Sequence, residues 1–116
     1  MPRICLIGTG GMMPLKDRFL TSLYYEHNGK AILIDCGEGT QVAIAKHGLR
    51  LSRIRRIYLT HVHGDHVFGL PGLLTSIAAA GNTEPISIYV PKSGLGIAGK
   101  LIEACGGLPY AAGLYP

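Results

Sequence analysis

Thr60-His61-Val62-His63-Gly64-Asp65-His66 is the stretch on which the reading of this chain turns, and the apolar run Arg56-Ile57-Tyr58-Leu59 leads into it. In an extended segment alternate side chains share a face, so His61 and His63 point the same way. Gly64 lets the backbone turn where a Cβ would be strained, and past that turn Asp65 and His66 can swing back towards the same point. Imidazole and carboxylate are both good ligands for Zn²⁺. Two imidazoles on one side, with a carboxylate and an imidazole on the other, suit a pair of adjacent metal ions. An isolated histidine near a strand end is ordinarily solvated or hydrogen-bonded. His27 and His47, which have no ligand-type neighbours, are read that way. Three histidines and an aspartate this closely spaced are a motif with a mechanism, and metal binding is the expectation.

Outward from this loop the chain alternates between strand and helix patterns. Residues 3–7 read as a short apolar strand, central in its sheet. Gly8-Thr9-Gly10-Gly11 breaks it, and the following loop carries Lys16 and Arg18. Two further strand-like runs, 20–27 and 30–36, are joined by Asn28-Gly29, which supplies the positive φ angles of a tight hairpin. Thr40 reads as the N-cap of a helix over 41–47, with Gly48 as its stop. Pro71 is welcome in a first turn, so a helix is expected from about residue 71 to Gly81. Pro85 opens a strand over 86–90, and a last helix, loosened by Gly94, Gly96 and Gly99, covers 94–105. Residues 106–116 are rich in Gly, Ala and Pro, show no period, and read as an irregular, unanchored tail. The expected class is therefore α/β, a mixed sheet interleaved with helices, with one unit over residues 1–105 and a tail over 106–116. The metal loop falls at the C-terminal end of a strand, where open α/β sheets place their sites.

Composition sets the outer bounds. A chain of 116 residues with 47% hydrophobic and 16% charged residues is a single globular domain and not a disordered segment. No apolar run approaches the roughly 20 residues of a membrane span, and the N-terminus lacks a signal-peptide pattern, so the cytoplasm is the expected location. Cys5, Cys36 and Cys105 have no CxxC spacing; an odd count without an export signal argues against a disulfide framework. Cys5 and Cys36 read as small buried hydrophobes. The net charge of +4 is partly concentrated in Arg50, Arg53, Arg55 and Arg56, just before the strand that leads to the metal loop. Alone, that group is a solvated helix face; beside a metal centre it points to a phosphate-rich substrate.

His61, His63, Asp65 and His66 resemble the HxHxDH signature of the metallo-β-lactamase superfamily. The likeness extends to its ribonuclease Z branch. Ile7-Gly8-Thr9-Gly10-Gly11 followed by Pro14, Lys16 and Arg18 is similar to that branch's opening strand and substrate loop. Asp35-Cys36-Gly37-Glu38-Gly39-Thr40-Gln41 is similar to its second block, and the metal loop with Gly69-Leu70-Pro71-Gly72-Leu73-Leu74 to its third. Phe19 stands where the family loop usually carries Asn, which bears on substrate discrimination. The family's αββα sandwich is built from two similar halves. Its remaining metal ligands come from the second half, and here no His follows His66 and Asp65 is the last Asp. The chain therefore reads as an N-terminal half, with a Gly/Ala-rich ending that has no evident family counterpart.

The resemblance implies two Zn²⁺ ions in a complete enzyme, one held by His61 and His63 and the other by Asp65 and His66, with Asp65 also the proton acceptor. It implies endonucleolytic removal of the 3′ trailer from precursor tRNA by a homodimer. Lys16 and Arg18 could bind phosphate or the RNA 3′ end, or form a solvated loop pair. Asp35 either fixes a His ring through its N–H or is a strand-end turn carboxylate. The rival readings are another hydrolase of the same fold, arylsulfatase-like or acting on small phosphodiesters, and a non-catalytic half-domain that binds a partner chain.

Overall fold

Asn28 and Gly29 both take positive φ angles, 53° and 76°, and this matches the twist of a two-residue hairpin. They join β2 (Ser22–His27) to β3 (Lys30–Ile34), antiparallel, with His27 opposite Lys30. The computed structural model describes residues 3–8, 22–60 and 67–116. Its other strands are β1 (Arg3–Gly8), β4 (Ile54–Tyr58), β5 (Ile86–Tyr89) and β6 (Ala112–Tyr115). Among the described residues the helices between strands are α1 (Thr40–Lys46), α2 (Leu70–Ala79) and α3 (Leu95–Glu103). The six strands lie in chain order in one sheet. β1, β2 and β3 pair antiparallel, and β4, β5 and β6 are added parallel through helical connections.

Alternation along the strands gives the sheet two faces. Cys5, Tyr24, Leu33, Ile57, Ile88 and Leu114 are register partners running straight across all six strands. They pack with Ile44 of α1, Leu70, Leu73, Leu74 and Ile77 of α2, and Ala98 of α3. The α2 residues recur at i, i+3, i+4 and i+7, the stripe of an amphipathic helix. The adjacent row, Leu6, Leu23, Ile34, Tyr58, Tyr89 and Tyr115, points the other way and is also apolar. There Ile4 is 68%, Leu6 58% and Tyr115 47% exposed.

Three expectations are corrected. β1 is not central; it lies at an edge of the sheet. An unbroken apolar run suggests burial on both faces, but here consecutive antiparallel pairing stacks β1 outermost. Thr40 is not the N-cap: Gly39 holds that place in the left-handed region at φ 86°. Thr40, the first helical residue, donates its hydroxyl to Gly37 O at 2.6 Å. Nor is the C-terminal stretch an unanchored tail. Ala112–Tyr115 forms β6 against β5, and Tyr110, buried, donates its hydroxyl to Leu74 O at 2.6 Å. A four-residue strand is too short to show a period, and its partner strand supplies the order. At the other helix ends the punctuation behaves as expected: Pro71 sits in the first turn of α2, and Gly81 follows it at φ 90°.

Candidate metal centre

β3 ends at Ile34, and Asp35 turns the chain out of the sheet at φ 62°. This is a left-handed conformation that aspartate tolerates better than most residues. The turn is held on three sides. The Asp35 N–H donates to Tyr58 O at 2.7 Å, and Ser22 Oγ donates to Asp35 O at 2.9 Å. The carboxylate, 5% exposed, accepts the Thr60 N–H on Oδ1 at 2.8 Å. It also accepts the Thr60 hydroxyl, at 2.9 Å on Oδ1 and 2.8 Å on Oδ2. Hydrogen bonds to an ionised acceptor are the strong ones, each worth about 1.5–3 kcal/mol. The residue directly before His61 is therefore fastened to the end of β3. Leu59 continues the β4–β5 pairing by donating to Tyr89 O at 2.8 Å, so the approach to residue 61 is set by backbone as well.

His61, His63, Asp65 and His66 lie outside the described residues, as do Lys16 and Arg18. Among the described residues no group of three or more His, Cys, Asp or Glu could hold a metal ion. Among the described residues Asp35 has Thr60 as a hydrogen-bond partner, a residue passed over in the sequence. The available signal was a hydroxyl immediately before the histidine cluster, opposite an acid that ends a neighbouring strand.

Two of the arginines around the start of β4 have partners for their side chains within the chain. Arg53 forms an ion pair with Glu26 at 2.7 Å, and Glu26 also accepts the Tyr24 hydroxyl at 3.1 Å. Arg55 Nη1 donates to Ser52 O and Ile54 O at 2.8 and 2.9 Å. Both sit at the start of β4, the end remote from Thr60, and fasten that strand to its surroundings. His47 caps the end of α1, its Nδ1 2.8 Å from Ala43 O. Cys36 is fully buried, and loss of water around the thiol pushes its pKa up to about 12. A thiol held protonated is a poor nucleophile near neutral pH.

Comparison with known proteins places this geometry. A family model described as "Anti-Pycsar protein Apyc1" matches residues 2–97. Ribonuclease Z of Agathobacter rectalis is 52% identical over 89 residues, which is 77% of this chain and 29% of that protein. The short form of human tRNase Z aligns with 100% of this chain and 46% of its own, at 35% identity and a TM-score of 0.83. The C-terminal stretch thus has a counterpart there, contrary to the expectation from sequence. YhfI of Bacillus subtilis, a metallo-β-lactamase fold protein, aligns with 99% of this chain and 46% of its own. Its TM-score is 0.76 at 15% identity, a likeness of fold alone. The chain spans under a third of the length of that curated ribonuclease Z and about half of either solved chain. With most of its residues inside the family match, the chain belongs to the family that the Apyc1 model describes, and over its whole length it resembles part of a tRNase Z of known structure.

Proposed function

We propose that this chain supplies the metal-binding N-terminal part of a zinc-dependent endoribonuclease that removes the 3′ trailer from precursor tRNA. The observation that supports it most is the likeness to human tRNase Z along the whole chain. The donor set fits zinc: three imidazoles and a carboxylate within six residues, following a threonine fastened to a buried aspartate. His61 and His63 would hold one ion, and Asp65 and His66 the second. When bound, zinc supplies a Lewis acid and lowers the pKa of water to about 7. Asp65 accepts the proton of the attacking water as general base. Lys16 and Arg18 neutralise phosphates near the RNA 3′ end. Asp35 holds the start of the loop through Thr60. The reading carries with it a homodimer acting in the cytoplasm. Among the described residues no helix is long and apolar enough to cross a membrane.

A second reading is a hydrolase of the same fold that acts on small phosphodiesters; the description of the family model over residues 2–97 names no RNA substrate. One experiment separates the two. A full-length protein carrying this sequence is assayed on precursor tRNA and on a small aryl phosphodiester, beside its Asp65→Ala variant. Cleavage of precursor tRNA, abolished in Asp65→Ala while the circular dichroism is retained, is the expected result. Turnover of the small ester alone transfers the assignment to the second reading, and near-parental cleavage by Asp65→Ala refutes the role given to that residue.

A further inference from the structure

Residues 35–37 touch the chain on both sides of the metal loop. On the near side, Asp35 holds Thr60 through its amide and its hydroxyl. On the far side, the Gly69 N–H donates to Cys36 O at 2.9 Å. Gly69 also lies so close to residue 37 that a Cβ on it would stand 1.9 Å from Gly37 O, 2.7 Å from Gly37 C and 2.9 Å from Cys36 O. All three atoms belong to the backbone and cannot rotate aside. Gly69 has φ −81° and ψ −7°, a conformation any L residue adopts. Glycine is required at 69 for space and not for dihedral freedom. Val67 and Leu70, on either side of it, are both buried in the core, so this segment has little room to retreat. Gly72, one turn later, differs in kind: a Cβ there would meet Gln41 Nε2 at 2.8 Å, the movable end of a side chain.

We infer that residues 35–37 form a clamp that sets the distance between the chain entering residue 61 and the chain leaving residue 66, with Thr60 and Gly69 as positioning residues for the metal ligands. The inference rests on the metal-binding reading above. Metal sites need their ligands held to within about 0.5 Å. Relieving a 1.9 Å contact against backbone moves the α2 end of the loop by on the order of 1 Å. That displacement exceeds what the ligand geometry tolerates, although none of the four proposed ligands has been altered. The same segment anchors both ends, so a change at either one alters the span.

The test uses a full-length ribonuclease Z whose N-terminal part is this sequence. Zinc affinity is measured by competition with a chromophoric chelator, and the ligand-field spectrum is recorded with cobalt(II), both at a temperature where circular dichroism shows the folded state. Gly69→Ala is expected to weaken zinc binding about 10- to 100-fold, the usual range for residues that orient ligands, and to change the cobalt spectrum. Gly72→Ala serves as control and stays within about twofold of the parent. Thr60→Val removes the hydroxyl bonds at a residue that is itself exposed and keeps the Thr60 N–H on Asp35 Oδ1, and zinc affinity, measured on the folded variant, falls in the same direction. Parental zinc affinity and cobalt spectrum in Gly69→Ala, with only a lower melting temperature, overturn the clamp. If Gly69→Ala does not fold, parental affinity in Thr60→Val overturns it. A parent that binds zinc and responds as stated, yet leaves precursor tRNA intact, removes the proposed substrate and keeps the clamp. A parent that binds neither metal removes both.

Discussion

Asp35 and Cys36 show at the scale of single residues how burial divides neighbouring polar groups. The carboxylate is buried because Thr60 and its own backbone contacts replace water. The adjacent thiol is buried in apolar surroundings and becomes a much weaker acid, its pKa pushed up to about 12 chiefly by loss of water. Burial likewise raises Tyr24 and Tyr110 to about 12, with the Glu26 carboxylate adding to the effect on Tyr24. In all three the folded state keeps a proton that the unfolded chain gives up at its ordinary value of 9.0 or 10.0. Their contribution to stability is therefore complete below pH 9 and is lost as pH rises through the folded values near 12. Thermal melts are expected to stay level up to about pH 8.5 and to fall steadily above it, and Cys36→Ala should shallow the first part of that fall. A thiol reagent at about pH 8 should leave Cys36 unlabelled in the folded protein. Rapid labelling of Cys36 under those conditions would show that the site opens.

β6 carries the argument at the scale of elements. Tyr58, Tyr89 and Tyr115 are register partners on the face away from the helices. The first pair stacks with ring centroids 4.8 Å apart at 12°, and the second lies at 5.4 Å and 30°. Tyr115 folds back over Gly113, two residues earlier on the same face, where a Cβ would stand 2.8 Å from its hydroxyl oxygen and 2.9 Å from Cε2. The glycine that makes residues 106–116 look irregular in sequence is what lets the last tyrosine complete the ladder. Gly113→Val should displace the Tyr115 ring from Tyr89 and forfeit an aromatic pair worth about 0.5–1.5 kcal/mol. The measurement is near-UV circular dichroism, where the tyrosine signal should weaken while the far-UV spectrum is kept. An unchanged near-UV spectrum would mean that the ring accommodates the substitution without leaving its partner.

For the whole molecule, the consequence of a two-faced sheet is that only one apolar face is matched by helices of the described chain. Ile4, Leu6 and Tyr115 stand exposed on the other, beside a row of half-buried Leu23, Ile34, Tyr58 and Tyr89. An apolar face and an open sheet edge favour association with another chain. The 116-residue chain prepared alone is therefore expected to self-associate, to hold zinc far more weakly than a full-length ribonuclease Z, and to leave precursor tRNA uncut. Zinc prefers about four ligands, and the two protein groups per ion proposed above would leave each ion underligated. Sedimentation velocity, zinc stoichiometry and a cleavage assay check this, and replacing Ile4 and Leu6 together by Lys should reduce the association. A monomer that binds two zinc ions tightly and cleaves precursor tRNA by itself would contradict it.

The sequence by itself determined what depends on residue type and short spacing. Asn28-Gly29 can close a hairpin because asparagine and glycine accept positive φ. The α2 stripe declares itself by period, and the cluster from His61 to His66 is a donor set whatever surrounds it. Tertiary structure decided what depends on distant neighbours. β1 is an edge because of the order in which strands pair, and β6 is a strand because β5 offers it a partner. Arg53 is drawn to Glu26, 27 residues away, and Asp35 to Thr60, 25 residues away. Gly69 must be glycine because of a carbonyl at residue 37. Local rules concern the conformations one segment can adopt; contact between segments far apart in the chain is settled by packing, which no single segment encodes.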